Sequence, residues 1–284
     1  MRETQGHHRY IDRALELAAK ATGSTFPNPL VGAVIVRDGE VIGEGYHRRA
    51  GSAHAEIEAL SAAGTSAEGA TLYLNLEPCC HCGRTGPCTD AILEAGIAEV
   101  VFSIHDPDPR VKGQGASILR KAGVEVVTGI RAAEAVELNL PFIHRTMTGK
   151  PLIVLKLALT LDGKLTAPGR ERLTGEEAAR RVHTLRGRHQ AIAVGSGTLR
   201  TDVPLLDRRL LGPGVPPPVR MVFDTRLETA PPDSWDIAAD RAIWFCSGEA
   251  SSEKRSELED LGVEVVSLPS APRGIDLDEW RRSV

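Results

Sequence analysis

The chain has 284 residues, of which 42% are hydrophobic and 25% charged, proportions ordinary for a soluble globular protein and a length comfortable for two domains. A formal net charge of -4 and a pI near 6.2 give no basic field for a polynucleotide, and aromatics amount to only 4%. No apolar run approaches the ~20 residues of a membrane span, so neither nucleic acid nor membrane is an expected partner.

Residues 1–8 are polar and expected to fray, whereas residues 10–20 carry Ile11, Leu15 and Ala18 on one helical stripe. Thr25-Phe26-Pro27-Asn28-Pro29 is a rigid turn into an apolar strand at 30–36. Asp38-Gly39 signals a hairpin, with 41–46 as the return strand. A helix is expected over 53–63 and a strand over 70–76. Pro87 opens a helix at 87–95 that Gly96 ends, and a strand follows at 99–104. A helix near 116–122 and a strand at 124–127 continue the alternation, which argues for a three-layer α/β domain.

His54-Ala55-Glu56 and the thiols downstream carry the chemistry. Four of the five cysteines, Cys79, Cys80, Cys82 and Cys88, fall within ten residues. With no signal peptide ahead of them, clustered thiols point to metal binding or catalysis in a reducing, cytoplasmic setting rather than to disulfides. A histidine, soft sulfur ligands and a carboxylate that need not bind metal are the parts of a hydrolytic deaminase. Three protein ligands would leave the fourth zinc position to water, whose pKa falls to near ~7. Glu56 would move protons between that water and the leaving amine. His54 and Glu56 would not share a helix face, so a helix N-terminus is expected there. Alone, His-x-Glu reads as a solvated first turn with its acid near the dipole. Spacing leaves open whether Cys79 pairs with Cys82 or with Cys88.

Pro78-Cys79-Cys80-His81-Cys82-Gly83-Arg84-Thr85-Gly86-Pro87-Cys88 resembles the Pro-Cys-x-His-x-Gly-Arg/Lys-Thr-Pro-Pro-Cys signature of the bifunctional deaminase/reductase family of riboflavin biosynthesis. Pro27-Asn28-Pro29-Leu30-Val31-Gly32, Gly45-Tyr46-His47, Asp106-Pro107-Asp108-Pro109-Arg110-Val111 and Gly113-Gln114-Gly115 are similar to that family in order and spacing. The resemblance implies a cytidine-deaminase-like domain with zinc on His54, Cys79 and Cys88, proton transfer by Glu56, and Cys82 as a bystander. It also implies substrate contacts from Asn28, His47, His81 and Arg84. An amide suits a pyrimidine edge and an arginine fork suits a phosphate. Gly86 stands where the family usually has proline, and is expected to loosen the loop carrying Cys88.

The expected domains are 1–147 and 148–284, the second opening on an apolar strand at 151–159. The runs at 156–164, 183–186, 193–198, 202–206 and 220–225 keep the order of the family's reductase domain, which has a dihydrofolate-reductase-like α/β fold and uses NADPH. By position, Ala158, Thr198, Asp202 and Thr225 would touch the nucleotide, while Arg186, Leu206 and Arg209 would hold the substrate. There are departures from the family. The segment 168–174 is short and lacks the Ser-x-Trp-Ile-Thr pattern, Val203 replaces the second of two usual aspartates, and the sequence reaches Val284 without a Val-Glu-Gly-Gly segment. These imply a truncated reductase half, competent for packing but weak in hydride transfer. Residues 213–218 read as a stiff proline connector and Cys246 as a buried thiol.

The resulting expectation is a zinc-dependent pyrimidine deaminase. The resemblance implies conversion of 2,5-diamino-6-(5-phosphoribosylamino)pyrimidin-4-one to 5-amino-6-(5-phosphoribosylamino)uracil and ammonia, with NADPH reduction as a further activity. Its partner is a small phosphorylated pyrimidine, and a homo-oligomer is implied by the family and by exposed sheet edges. Two other readings are a deaminase of a related pyrimidine or pterin-like substrate, and a non-catalytic scaffold whose zinc takes Cys82 as a fourth ligand. The presence of Glu56 argues against the scaffold.

Overall fold

The computed structural model describes residues 2–80, 86–109, 111–166, 169, 173–207, 217–272 and 274–283. The chain divides into two units, Met1–Leu152 and Ile153–Val284. That division falls beyond the end of a helix, Ala132–Thr148, which runs through the junction expected at 147.

The first unit runs α1 (Arg2–Ala19), β1 (Gly32–Arg37), β2 (Glu40–Tyr46), α2 (Ala55–Ala63), β3 (Thr71–Leu76), α3 (Cys88–Glu94), β4 (Glu99–Ile104), α4 (Gln114–Lys121), β5 (Glu125–Thr128) and α5 (Ala132–Thr148). Its strands form one sheet in the order β2-β1-β3-β4-β5, antiparallel on either side of β1 and parallel from β3 to β5. Successive side chains point to opposite faces. Ile35, Leu72, Leu74 and Phe102 therefore pack with Ala59, Ile92 and Leu119 of α2, α3 and α4, while Val34, Tyr73 and Val101 pack with Ile11 and Leu17 of α1. Helices on both faces make these strands near-continuous apolar runs.

The Asp38-Gly39 turn pairs Arg37 with Glu40, and both turn residues have positive φ, 53° and 80°. That is the two-residue hairpin geometry that asparagine or aspartate followed by glycine favours. The frayed start expected for residues 1–8 is instead helical from Arg2. His7 Nδ1 lies 3.1 Å from the Tyr73 hydroxyl and Tyr10 packs on the Tyr73 ring at 4.9 Å. Such tertiary docking sustains helix that intrinsic propensity alone would not.

The second unit contains α6 (Glu176–Gly187), β6 (Ala191–Gly195), α7 (Ser196–Asp202), β7 (Val219–Phe223), β8 (Ala242–Ser247), α8 (Ser252–Asp260), β9 (Glu264–Leu268), a short β10 (Ser270–Ala271) and β11 (Gly274–Ile275) pair, and α9 (Leu277–Ser283). β6 to β9 form a parallel sheet in sequence order. Trp244, Val222 and Cys246 pack on one face with Leu199 and Leu258, and Met221, Ile243 and Phe245 on the other with Trp280. Cys246 is fully buried, as its apolar setting suggests.

The strand expected at 151–159 is absent. Ile153, Val154, Leu155, Leu157 and Leu159 are exposed, and no strand pairs with them among the described residues. Apolar composition gives strand propensity, but a strand exists only where a neighbour completes its ladder. No helix among the described residues is long and apolar enough to cross a membrane.

Candidate metal centre

Two strand-to-helix junctions, β2 to α2 and β3 to α3, bring the expected metal ligands together. His54 follows β2 as the N-cap of α2, with extended φ and ψ of -73° and 160°, so its ring is not tied to the helical face of Glu56 in the first turn. Cys79 lies just past the end of β3, and Cys88 opens α3 behind Pro87. His54 Nδ1 is 3.1 Å from Cys88 Sγ and 3.6 Å from Cys79 Sγ. All three ligand atoms lie within 4.8 Å of one another, the one such group among the described residues. Tetrahedral zinc with ordinary Zn–N and Zn–S lengths separates its nitrogen and sulfur ligands by about 3.6 Å. The donor set and its spacing fit zinc.

Glycines seat this site on the sheet. A Cβ on Gly45 would lie 2.5 Å from both Ala55 O and Ala59 N, and one on Gly43 would lie 2.4 Å from Ala59 O. Ala55, Ala59 and Ala63 face them from α2 and are buried. Backbone therefore rests on backbone, and the first turn bearing His54 and Glu56 is held at a fixed depth over β2.

Hydrogen bonding sets the charges. The bond from Cys88, with help from His54, pulls the Cys79 thiol down to about 4. The same bond, together with burial, pushes Cys88 up. His54 is raised by its bond to Cys79. The lowered Cys79 thiol favours the thiolate, the form in which sulfur binds metal. Glu56 is 4% exposed, and burial, followed by the charge on Cys79, raises its carboxyl above the usual range.

Asn28 and His47 flank this centre. Asn28 Nδ2 is 3.1 Å from His47 Nε2, and His47 Nδ1 is 3.0 Å from Ala53 O. The carbonyl accepts only from an N–H, so Nδ1 carries the proton and Nε2 accepts from the amide. Burial lowers the His47 pKa and favours this neutral form. Its ring also meets that of His54 edge-on at 5.6 Å.

Two asparagines outside the expected set hold the Asn28 segment in place. Asn75 and Asn139 both donate to Leu30 O at 2.8 and 2.9 Å, and Asn139 Oδ1 accepts from Leu30 N at 2.8 Å. Asn75 Oδ1 accepts from Gly32 N at 2.8 Å. A fully buried polar residue in an otherwise apolar strand was the available signal for Asn75, because burial of an amide requires partners. His81, Cys82 and Arg84 lie outside the described residues. Gly86 is exposed, with no atom within 4 Å of an added Cβ, so packing does not demand glycine there.

In the second unit, Gly195 pairs with Phe223 at the C-terminal ends of β6 and β7. Thr198, exposed in α7, and Thr225, half-buried just after β7, thus stand at adjacent strand ends. Asp202 ends α7 and is exposed, and Ala158 is half-buried in the extended segment. Arg186 Nη1 donates to Asp207 O at 3.4 Å, and Leu206 is buried with φ of 50°. Arg209 and most of the proline connector lie outside the described residues. Arg220, not among the expected residues, donates to Leu205 O at 3.1 Å while its guanidinium lies 4.8 Å from the Trp235 ring. Trp235 Nε1 in turn donates to Pro204 O at 2.9 Å. Val203 has φ of 40°, a left-handed conformation costly for a β-branched residue and better tolerated by aspartate.

The chain is similar to known proteins over most of its length. Residues 4–104 match the cytidine and deoxycytidylate deaminase zinc-binding region, and residues 151–280 match the RibD C-terminal domain. The riboflavin biosynthesis protein RibD of Bacillus amyloliquefaciens is 42% identical over 264 residues, 91% of this chain and 70% of that protein. The RibD of Escherichia coli K12 is 45% identical over 281 residues, 94% and 75% of the two. A Thermotoga maritima structure, a diaminohydroxyphosphoribosylaminopyrimidine deaminase/5-amino-6-(5-phosphoribosylamino)uracil reductase, superposes with a TM-score of 0.80 at 34% identity, covering 98% of this chain and 85% of its own.

Proposed function

We propose, for a chain that belongs to the RibD family of riboflavin-biosynthesis deaminase/reductases, that the first unit hydrolytically deaminates a diaminohydroxyphosphoribosylaminopyrimidine and the second reduces the 5-amino-6-(5-phosphoribosylamino)uracil so formed. These are the two activities for which the Thermotoga maritima relative is named. The observation that carries the reading is the convergence of His54 Nδ1, Cys79 Sγ and Cys88 Sγ beside the buried Glu56.

Zinc held by those three residues supplies the Lewis acidity that makes water a nucleophile at neutral pH. Glu56 takes the proton of the attacking water and passes it to the departing amine. Its raised pKa suits a group that must hold a proton before delivering it. His47 fixes the Asn28 amide, leaving Asn28 Oδ1 to accept from an N–H on the pyrimidine edge. His81 and Arg84 are assigned to the ring and the phosphate, where an arginine fork binds well.

NADPH is assigned to the C-terminal edge of the second sheet. Thr198 and Thr225 stand there, and open parallel sheets take ligands at that edge. Ala158 and Asp202 complete the nucleotide set. Arg186, Leu206 and Arg209 are assigned to the substrate. Bound NADPH supplies the hydride. A reducing cytoplasm, which keeps thiolate ligands available, and self-association through edge strands belong to the same reading.

The test follows ammonia and NADPH in one cuvette, using the zinc-loaded chain and the phosphoribosylamino-pyrimidine. Ammonia release that stops on chelation and returns with zinc, followed by NADPH oxidation, is expected; the match of residues 151–280 to the RibD C-terminal domain weighs against the weak hydride transfer that the departures at 168–174 and Val203 imply. Ammonia without NADPH loss would confine the proposal to the first unit. Release of neither by the zinc-loaded chain would overturn it.

A further inference from the structure

We infer that Glu77, through its grip on the start of α4, is a positioning residue that sets where Cys79 stands; the inference rests on reading His54, Cys79 and Cys88 as a zinc site. Glu77 is 3% exposed and two residues before the ligand. Its carboxylate accepts at both oxygens. Oε1 takes Ala116 N at 3.0 Å, and Oε2 takes Gly113 N at 2.9 Å, His105 Nδ1 at 2.8 Å and Asp106 N at 3.4 Å. Its own backbone N–H donates to Ile104 O at 2.9 Å, which joins the ends of β3 and β4.

A second feature makes the same joint tight. A Cβ on Gly115 would fall 2.3 Å from Pro78 O and 3.4 Å from Glu77 Oε1. The helix therefore approaches the Glu77-Pro78-Cys79 backbone as only glycine permits. On its far side, Cys79 is fastened to α3, with Cys79 O accepting from Thr89 N at 3.2 Å and Cys79 Sγ from Cys88 N at 3.4 Å. Cys79 is thus strung between two helices, and Glu77 is the polar fastening on one side.

Because the carboxylate faces donors at both oxygens, Glu77→Gln must turn an NH2 toward at least one of them. Gly115→Ala leaves the carboxylate intact and disturbs the spacing. In the full-length chain, each variant should bind zinc about 10- to 100-fold more weakly than the parent, the loss usual for residues that orient a metal ligand. Affinity is read by competition with a chromophoric chelator, and the thiolate-dependent visible bands of the cobalt-substituted chain should shift, while circular dichroism keeps its folded form. A purely structural role would lower the melting temperature of the metal-free chain and leave zinc affinity and cobalt bands unchanged, overturning the inference. Loss of folding in both variants would equally overturn it, and if only one folds, its zinc affinity decides. A parent chain that binds no zinc would instead remove the underlying metal-site reading.

Discussion

Glu56→Gln is expected to leave zinc bound and to slow ammonia release by about 10²- to 10⁴-fold, the usual worth of a positioned general acid–base group. Glutamine keeps the shape of a side chain that is 4% exposed in the first turn of α2. It cannot take a proton from water or return one to the amine. The proposed metal ligands His54, Cys79 and Cys88 are untouched, so zinc content per chain, measured alongside the rate, should stay at the parent value. A variant that releases ammonia at the parental rate would remove Glu56 from the proton path. One that loses its zinc would make the carboxylate a ligand.

Gly45→Ala is expected to cost about 3 kcal/mol of stability, the upper end of what overpacking a well-packed contact does. The new Cβ would sit 2.5 Å from two backbone atoms of α2, Ala55 O and Ala59 N, and 2.6 Å from Glu58 Cβ. Backbone cannot rotate away as a side chain can, so α2 must lift from β2. His54 and Glu56, at the start of that helix, would move with it, and zinc affinity should fall together with the denaturation midpoint. A destabilised variant with unchanged zinc affinity would show that the helix start is held by something other than its seat on Gly45.

Much of the first unit was legible because its signals are local. The positive-φ turn at Asp38-Gly39, the Pro87 start of α3 and the strand at 99–104 follow from residue chemistry at a few positions. α5 was not legible, since Pro141 lies inside it and only Ala135 and Asn139 are buried, which leaves a weak apolar stripe. The segment 151–159 failed in the opposite direction, because its composition is right for a strand but pairing is a property of neighbours.

The candidate centre shows the same division. The ligand types at His54, Cys79 and Cys88 can be read along the chain, and the resemblance chose Cys88 over Cys82. The residues that hold them, Glu77 and Gly115, and those that hold Asn28, Asn75 and Asn139, act across 28 to 109 positions of sequence. Spacing along a chain carries no information about such contacts. Only the burial of a carboxylate or an amide in an apolar setting hints that a partner exists.

The most direct test of the central claim is X-ray absorption at the zinc edge of the loaded chain, which counts sulfur against nitrogen and oxygen neighbours. Two sulfurs and two lighter atoms are predicted, the signature of His54, Cys79 and Cys88 with one position left to solvent or substrate. Three sulfurs and one nitrogen would close the site with a further thiol, and would contradict the account in favour of a structural zinc.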